Sequence, residues 1–398
     1  MIVWIWLSIT LLLCFLSLWI ILPAPIFSLL PLSVGTPEVS PWLLCFSSIS
    51  AVLSVYLTYF KKLPAPYWLD RWAIAFSVLS LVLSSLPLLQ LPAAHQMAQT
   101  TFRRTLGEHF TQPIPVTVQQ RWRSQIFHPI DAFQGIAIPK TRDRRHIPFA
   151  QYGETVLKLN LYLPAQPGSY PGIVLIYGGA WQRGKPDQVE TLSRYLAAQG
   201  YAVWAIDYRH APQSRFPTQL ADIQTALRYL QAHATEGETD ITRVAIVGQS
   251  AGGHLALLTA YQPTPFPLRS VTAYYSPVDL KAGYYDLPTP DPIDSRAVLT
   301  SFIGGDPVAF PHQYEQASPY HFADRPQIPT LLIYGGKDRI VESRFGRHLA
   351  NQLQTHGTPT VFLEIPWADH AFDAVFNGIS HQLTLYHLER FLAWSLYQ

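Results

Sequence analysis

The chain has 398 residues, a formal net charge of +2 and a hydrophobic fraction of 48%, with 14% charged residues. It is too long for one average domain and more apolar than an ordinary soluble enzyme, which indicates two environments. With so small a net charge and no known binding motif, we expect no nucleic-acid partner. The two cysteines, Cys14 and Cys45, lie in apolar segments, so we expect neither a disulfide nor a cysteine metal site in the rest of the chain.

Residues 1–92 are predicted to form a transmembrane region. Residues 1–22, 40–60 and 72–91 are apolar stretches without a charged side chain. At about 1.5 Å per residue, such stretches cross a hydrocarbon core of about 30 Å. Two alternatives stay open: a cleaved signal peptide at the N-terminus, although a basic leader region is missing, and buried core helices of a soluble domain.

The distribution of basic residues predicts the orientation of these spans. The connection between the second and third spans carries Lys61, Lys62 and Arg71, whereas the proline-rich connection between the first and second carries no lysine or arginine. Basic residues are retained on the cytoplasmic side, so three spans place the rest of the chain outside the cytoplasm. Arg103 and Arg104, close after the third span, argue for the opposite orientation.

The remainder of the chain divides into two segments with different sequence patterns. Residues 93–150 mix arginines with aromatic residues, and we interpret them as a juxtamembrane stalk with the first strands, or as a segment lying along anionic headgroups. From residue 151 to 398, strands alternate with helices. This pattern predicts an α/β domain with a mostly parallel, doubly wound sheet and a ligand site at the carboxyl ends of its strands. The predicted strands are 155–163, 172–177, 202–207, 244–247, 270–275, 330–334 and 360–365.

One sharp turn joins the fourth predicted strand to a helix. The sequence GQSAG at 248–252 matches G-x-S-x-G and places Ser250 at the bend. Glycines on both sides avoid collisions between side chains, and the helix that follows directs its free N–H groups and positive dipole end at the serine. The pattern predicts that Ser250 is a nucleophile.

A serine nucleophile needs a neighbouring base and a third group that orients this base. Asp338 follows the sixth predicted strand and His370 follows the seventh, so both belong at the same sheet edge as Ser250. The alternatives are a helix-capping acid for Asp338 and a solvated loop histidine for His370. Asp369 is a rival for the acid, but the immediate neighbour of a base cannot easily reach its far ring nitrogen.

Backbone donors for an oxyanion are expected in two places. The second predicted strand is followed by two glycines, and the N–H groups of Gly179 and Ala180 can turn toward a substrate. Ala251 at the start of the helix adds a third donor. A pair of glycines after a strand is also common as an ordinary turn.

Six stretches together resemble the α/β-hydrolase superfamily, in particular the hormone-sensitive-lipase-like and feruloyl-esterase-like carboxylesterases. This resemblance covers residues from about 152 to 398 and implies the α/β-hydrolase fold, with Ser250, Asp338 and His370 as the triad and Gly179, Ala180 and Ala251 as oxyanion donors. The stretches are YGGAWQRG (177–184), DYRHAPQSRFPTQLAD (207–222), GQSAGG (248–253), SPVDL (276–280), YGGKDRIV (334–341) and DHAF (369–372).

The chain departs from the family at Tyr177 and Ala180, where H-G-G-G is usual. Backbone donors survive both changes, but the geometry of the loop and the substrate range are put in question. Asp207, Arg209 and Asp222 are expected to tie this loop to its neighbours. Residues 281–327 lie where the family carries a lid or an acyl-pocket wall.

The sequence therefore predicts a membrane-anchored serine hydrolase that cleaves carboxylic esters through an acyl-enzyme, with about three transmembrane helices before the catalytic domain. Its expected partners are a small-molecule or lipid ester and the bilayer, and no oligomeric state follows. We expect no cofactor, and no metal because the histidines lack ligand spacing. A peptidase or acyltransferase on the same fold, or a catalytically silent binding domain, are the alternatives.

Overall fold

The computed structural model describes residues 2–61, 67–325 and 327–398. Its N-terminal part consists of helices that pack against one another, and the remainder is a sheet covered by helices on both faces. The N-terminal helices are α1 Ile2–Leu18, α2 Leu30–Glu38, α3 Ser40–Tyr56, which continues as a π-helical turn Leu57–Lys61, and α4 Tyr67–Leu106.

Buried serines line the interface between α1, α3 and α4. The hydroxyl of Ser80 lies 2.7 Å from that of Ser17 and 2.5 Å from that of Ser47, and the hydroxyls of Ser50 and Ser77 lie 2.8 Å apart. Small side chains let helix backbones approach closely, and hydroxyl pairs hydrogen-bond across the interface. Large apolar side chains are on the outside of the same helices, so the bundle is polar within and apolar on its surface.

Two segments are long and apolar enough to cross a membrane: Ser40–Phe60, with a mean hydropathy of 1.8, and Trp68–Leu106, with a mean hydropathy of 2.0. Only 22% and 33% of their most apolar windows are buried, whereas a core helix of a soluble domain is mostly buried. The first predicted span is shorter, because α1 has 17 residues and a length of about 25 Å. Two of the three predicted spans thus reach full length.

Helix α4 does not end with the third predicted span. It continues through Pro87 and Pro92, and the expected boundary after residue 92 lies inside it. Ala98 and Phe102 on its last turns are buried in the main hydrophobic core. The first residues of the expected stalk are therefore a helix packed on the sheet-containing part of the chain.

Eight strands form a mixed sheet. The strands are β1 Arg142–Tyr152, β2 Thr155–Leu163, β3 Tyr170–Ile176, β4 Ala202–Ile206, β5 Thr239–Gln249, β6 Leu268–Tyr274, β7 Thr330–Gly335 and β8 Thr360–Ile365. Their order is β1-β2-β4-β3-β5-β6-β7-β8, and all pairs from β4 to β8 are parallel, whereas β2 is antiparallel to both neighbours. The mostly parallel sheet and its seven predicted strands are confirmed, and β1 precedes them.

The helices of this part lie around the sheet. They are α5 Val116–Gln119, α6 Pro129–Gln134, α7 Glu190–Ala198, α8 Thr218–Ala232, α9 Ala251–Ala260, α10 Leu280–Tyr285, α11 Ser295–Ile303, α12 Pro311–Gln316, α13 Ser343–Thr355 and α14 Ile379–Leu396. Residues 173–176 of β3 and 244–247 of β5 are apolar and buried, as expected for central strands that helices cover on both faces. Their carboxyl ends point to one edge of the sheet, where the candidate site lies.

The connection between the first two predicted spans is a helix docked on this sheet edge, rather than the proline-rich loop that the sequence indicates. Pro31 stands in the first turn of α2, where its missing N–H has no intrahelical acceptor to lose, and Pro37 lies near the end of the helix. The hydroxyl of Ser33 donates to the carboxylate of Asp369. The ammonium of Lys337 lies 2.8 Å from the carbonyl oxygen of Ser33 and 2.7 Å from that of Trp19.

Candidate active site

Ser250 lies on a strained turn between β5 and α9. Its φ of 51° is in the left-handed region, which a serine adopts only when its surroundings hold it there. A Cβ on Gly248 would come within 2.3 Å of the Gly252 carbonyl oxygen, and one on Gly252 within 2.3 Å of the Ile176 carbonyl oxygen. Both positions therefore require glycine, and the serine side chain is presented at the edge of the sheet.

The three residues predicted for the triad are brought together. The His370 Nε2 atom lies 3.0 Å from the Ser250 Oγ atom, and its Nδ1 atom lies 2.8 Å from the Asp338 Oδ2 atom. The other oxygen of Asp338 accepts hydrogen bonds of 2.8 Å from the N–H groups of Ile340 and Val341. Because a carboxylate can only accept, His370 carries its proton on Nδ1, which leaves Nε2 free to accept the serine proton.

Asp369, the alternative candidate for the triad acid, has other hydrogen-bond partners. The carboxylate of Asp369 accepts a 2.7 Å hydrogen bond from the backbone N–H of His370 and another from Ser33, and it lies 4.0 Å from the Lys337 ammonium. Burial raises its pKa, as does the nearby Asp338 carboxylate, while Lys337 opposes them. Asp369 thus links the loop of His370 to α2.

The pKa of His370 reflects opposing influences. Burial disfavours the charged imidazolium and lowers the pKa. The charge and hydrogen bond of Asp338 raise it, and the charges of Asp369 and Asp373 add to this increase, so that together they outweigh burial. The net result is a pKa raised above the usual 6.5. The site therefore favours the imidazolium that forms when His370 takes a proton from Ser250.

The sequence analysis missed a further buried acid beside the site. Asp373 accepts hydrogen bonds from the Tyr275 hydroxyl and from the side-chain amide of Gln249, which precedes Ser250. The Tyr275 ring centre lies 4.6 Å from that of His370. The only signal in the sequence is an acid three positions after His370, and short spacing of this kind is common in loops.

The loop after β3 adopts the conformation that oxyanion donors need. Gly179 and Ala180 have φ angles of 141° and 54°, and within the described residues their N–H groups and that of Ala251 donate to no acceptor. The Trp181 indole donates a 3.1 Å hydrogen bond to the His254 Nδ1 atom on α9, which holds the loop against the helix of the turn. His254 is therefore structural, as its position on a packed helix indicates.

Tyr177, at the position where the family usually has histidine, anchors this loop through its hydroxyl group. Its hydroxyl contacts the Asp207 carboxylate and lies 2.9 Å from the His210 Nε2 atom. Burial, reinforced by Tyr208 and Asp207, raises the pKa of this phenol, which stays neutral. The predicted tie next to it is present, since Arg209 donates hydrogen bonds of 2.7 to 3.2 Å to the Asp222 carboxylate.

Two cavities meet at Ser250. The smaller, of about 70 Å³, is walled largely by residues of the predicted lid region and by the loop before α13, with apolar side chains that include Val278, Leu287, Val298, Leu299 and Phe345. The larger, of about 640 Å³, contains His370 and extends to α2, with walls that include Phe27, Leu30, Pro31, Val34, Tyr275 and Phe376. Among the described residues no group of three or more His, Cys, Asp or Glu side chains could hold a metal ion.

The sequence of this chain is similar to a known protein family and to several named esterases. A family model described as BD-FAE matches residues 159–353. The probable carboxylic ester hydrolase LipM of Mycobacterium tuberculosis is 31% identical over 272 residues, 63% of this chain and 62% of that protein. An acetyl-hydrolase of Streptomyces hygroscopicus is 31% identical over 221 residues, 52% of this chain and 70% of that protein. The chain spans between 50% and 62% of the length of the mycobacterial esterases that it matches.

A solved structure supports the same fold. A carboxyl esterase of the fungus Tuber melanosporum aligns with a TM-score of 0.55 at 20% identity, over 66% of this chain and 89% of that chain. The mostly parallel sheet, with β2 antiparallel to its neighbours, is that of the α/β-hydrolases. Because the chain is 31% identical to the acetyl-hydrolase and covers 70% of its length, it belongs to the same family of carboxylesterases, and residues 159–353 match the BD-FAE model.

Proposed function

We propose that this protein is a membrane-anchored serine hydrolase that cleaves carboxylic esters through an acyl-enzyme. The observation that carries the proposal is the continuous chain of contacts from Ser250 Oγ through His370 to Asp338 at the carboxyl edge of the sheet. The relatives named as ester hydrolases support the reaction class.

The geometry supports a two-step reaction. His370 takes the proton of Ser250 as the serine oxygen attacks the ester carbonyl, and the N–H groups of Gly179, Ala180 and Ala251 stabilise the oxyanion. His370 then gives this proton to the leaving alcohol, and the bond between the acyl carbon and the alcohol oxygen breaks. Water, activated by His370, releases the acid and restores Ser250.

We also propose three membrane crossings. Hydrogen-bonded turns continue α1 to Leu22, which lengthens the first apolar segment toward a full span. Because α2 docks on the hydrolase domain, the connection that contains it and the catalytic domain lie on the same side of the membrane. Such an arrangement requires two crossings between them, by α3 and α4.

For the side of the membrane, we propose the orientation of the spans that the distribution of basic residues predicts. Lys62 lies outside the described residues, but α3 begins next to α2, so the far end of α3 and the start of α4 lie at the opposite end of the bundle from α2. If that connection faces the cytoplasm, both α2 and the catalytic domain are extracytoplasmic. The proposed division is a transmembrane region (1–92), a juxtamembrane part (93–150) and a catalytic domain (151–398), with α4 running through the first boundary.

A peptidase or an acyltransferase would use the same acyl-enzyme chemistry, and a silent binding domain would not need it. The free oxyanion donors and the Ser250 to His370 contact favour catalysis over a silent domain.

The test is Ser250→Ala in the full-length protein. We expect hydrolysis of 4-nitrophenyl acetate to fall at least about a thousandfold and labelling by a fluorophosphonate probe to disappear, while thermal unfolding stays the same. Activity that persists in a folded Ser250→Ala protein would show that another residue is the nucleophile. Rapid acyl transfer to added alcohols in place of water would favour the acyltransferase.

A further inference from the structure

The two cavities at Ser250 are not equivalent, because His370 lines the larger one and not the smaller. In ester cleavage the protonated histidine delivers its proton to the leaving alcohol oxygen, so the alcohol has to lie on the side of the histidine. The large cavity is therefore the alcohol side, and the small cavity is the acyl side.

The volumes of the two cavities indicate how large the acyl group and the alcohol group of the substrate can be. A water molecule takes a share of about 30 Å³ in the liquid, so a cavity of about 70 Å³ holds roughly two or three groups of that size, which suits a short acyl chain. The cavity of about 640 Å³ holds roughly twenty such groups, which suits a long or bulky alcohol.

The wall of the large cavity comes in part from the segment between the first two proposed spans. Phe27, Leu30, Pro31 and Val34 line it, and all four side chains are apolar. Ser33, on an adjacent side of α2, donates a hydrogen bond to Asp369 beside the triad histidine. This polar contact holds the helix so that Leu30, Pro31 and Val34 line the cavity.

The cavity opens beside an apolar surface. Ile21, Leu22, Ile26 and Phe27 follow one another from the end of α1 toward the cavity and are 44% to 54% exposed. The guanidinium of Arg183 lies 5.5 Å from the centre of the Phe27 ring, so a cation marks the point where the cavity meets this surface. An apolar chain can pass from the surface of the bundle into the cavity along these side chains.

We propose that the substrate is an ester between a short acyl group and a long apolar alcohol that enters from the bilayer. This inference rests on the proposed function. The bond between the acyl carbon and the long alcohol oxygen breaks, the acyl group is carried by Ser250, and the alcohol leaves protonated along the α2 side. Residues 27–34 are then a determinant of specificity supplied by the membrane region.

The experiment compares two isomeric esters of equal composition, dodecyl acetate and methyl tridecanoate. The full-length protein is assayed in mixed micelles with each ester at the same mole fraction. We expect kcat/KM to be at least about thirtyfold higher for dodecyl acetate. Along the acetates of butyl, hexyl and octyl alcohol, kcat/KM is expected to rise about threefold to fourfold for each methylene buried. Equal rates, or a preference for methyl tridecanoate, would overturn the inference.

Variants in α2 test the wall directly. Val34→Trp narrows the large cavity, and we expect the preference for dodecyl acetate to fall at least about tenfold. Leu32→Trp, on the same helix but not lining the cavity, is the matched control and is expected to keep the wild-type preference. If Val34→Trp does not fold, Val34→Ala removes apolar contact and is expected to lower the preference about threefold to tenfold. An unchanged preference in a folded Val34 variant would exclude α2 from the wall.

The same assays separate this inference from the proposed function. Failure to hydrolyse either isomer and 4-nitrophenyl acetate, with no fluorophosphonate labelling of Ser250, would refute ester hydrolysis itself. Hydrolysis of both isomers at one rate, with normal labelling, would leave the hydrolase proposal intact and remove only the assignment of the two cavities.

Discussion

The side-chain carboxyl group of Glu38 accepts a 2.9 Å hydrogen bond from the backbone N–H of Ser380 and a 2.5 Å hydrogen bond from its hydroxyl, 342 positions along the chain. The last residue of α2 therefore caps the first turn of α14, where the backbone N–H groups have no acceptor within the helix. This contact and the one between Ser33 and Asp369 hold α2 against the catalytic domain from both ends.

We expect Glu38→Ala to destabilise the protein. The substitution leaves two buried donors on Ser380 without an acceptor, at a cost of about 1–3 kcal/mol in the free energy of unfolding. Thermal unfolding in detergent measures the loss. The control is Ser343→Ala, on the catalytic domain away from α2, and an equal loss in both variants would argue against a specific role of the cap.

The pKa of Glu38 adds a pH dependence to stability. Burial raises this pKa to about 8 from the usual 4.5, against the opposing hydrogen bonds of Ser380 and the charge of Lys337. The folded state therefore holds a proton that the unfolded state releases at lower pH. The stability from this group is fully present below about pH 4.5 and is lost as the pH rises through about 8. Glu38→Gln, which cannot titrate, should lose this part of the pH dependence, and an identical pH profile would contradict the raised pKa.

Substitution of Asp338 should lower kcat far more than substitution of Asp369. Asp338→Asn removes the acceptor that keeps the His370 proton on Nδ1, and we expect kcat to fall about ten-thousandfold. Asp369→Asn removes a contact with α2 but leaves the imidazole partner in place, so its kcat is expected to fall far less. Steady-state kinetics with 4-nitrophenyl acetate decides between them. A greater loss in Asp369→Asn would reverse the assignment.

Activity should rise with pH through a pKa above 6.5. His370 accepts the serine proton only when it is neutral, and Asp338, Asp369 and Asp373 together raise its pKa against the effect of burial. The pH profile of kcat/KM measures this pKa in the free enzyme. In Asp369→Asn the midpoint is expected to move to lower pH, and a wild-type midpoint at or below 6.5 would contradict the proposed electrostatics.

The side of the membrane is accessible to thiol labelling. Gln166 is exposed on the catalytic domain, so Gln166→Cys in a background without Cys14 and Cys45 should react with an impermeant reagent in intact cells. Lys62→Cys is the matched control for the opposite side and is expected to react only after lysis. The reverse pattern would invert the orientation, and labelling of both in intact cells would refute three crossings.

The sequence predicted those parts of the structure that depend on short segments. The predicted strand 155–163 has the same bounds as β2. The placement of Ser250, Asp338 and His370 just after buried strands correctly predicted that their side chains lie within hydrogen-bond distance of one another. Each of these features is encoded within about ten residues, where turn chemistry and periodicity act directly.

Features that depend on distant partners could not be predicted in the same way. Pro31 and Pro37 indicated a loop, but the first lies where a helix tolerates proline, and contacts with the catalytic domain hold the segment. The third span was predicted to end at residue 91, yet α4 continues to Leu106 because its last turns are buried in the hydrophobic core. Local propensity was overruled in both places by tertiary packing.

The unbroken course of α4 bears on how this enzyme can be released from cells. The helix is 40 residues long, which corresponds to about 60 Å, and its two ends belong to the serine-lined bundle and to the core of the hydrolase domain. Proteases cut anchored proteins most readily at exposed, flexible tethers. Here the corresponding residues are helical and partly buried, so in the membrane-anchored protein that we propose, a cut in this segment would require part of the hydrophobic core to unfold first.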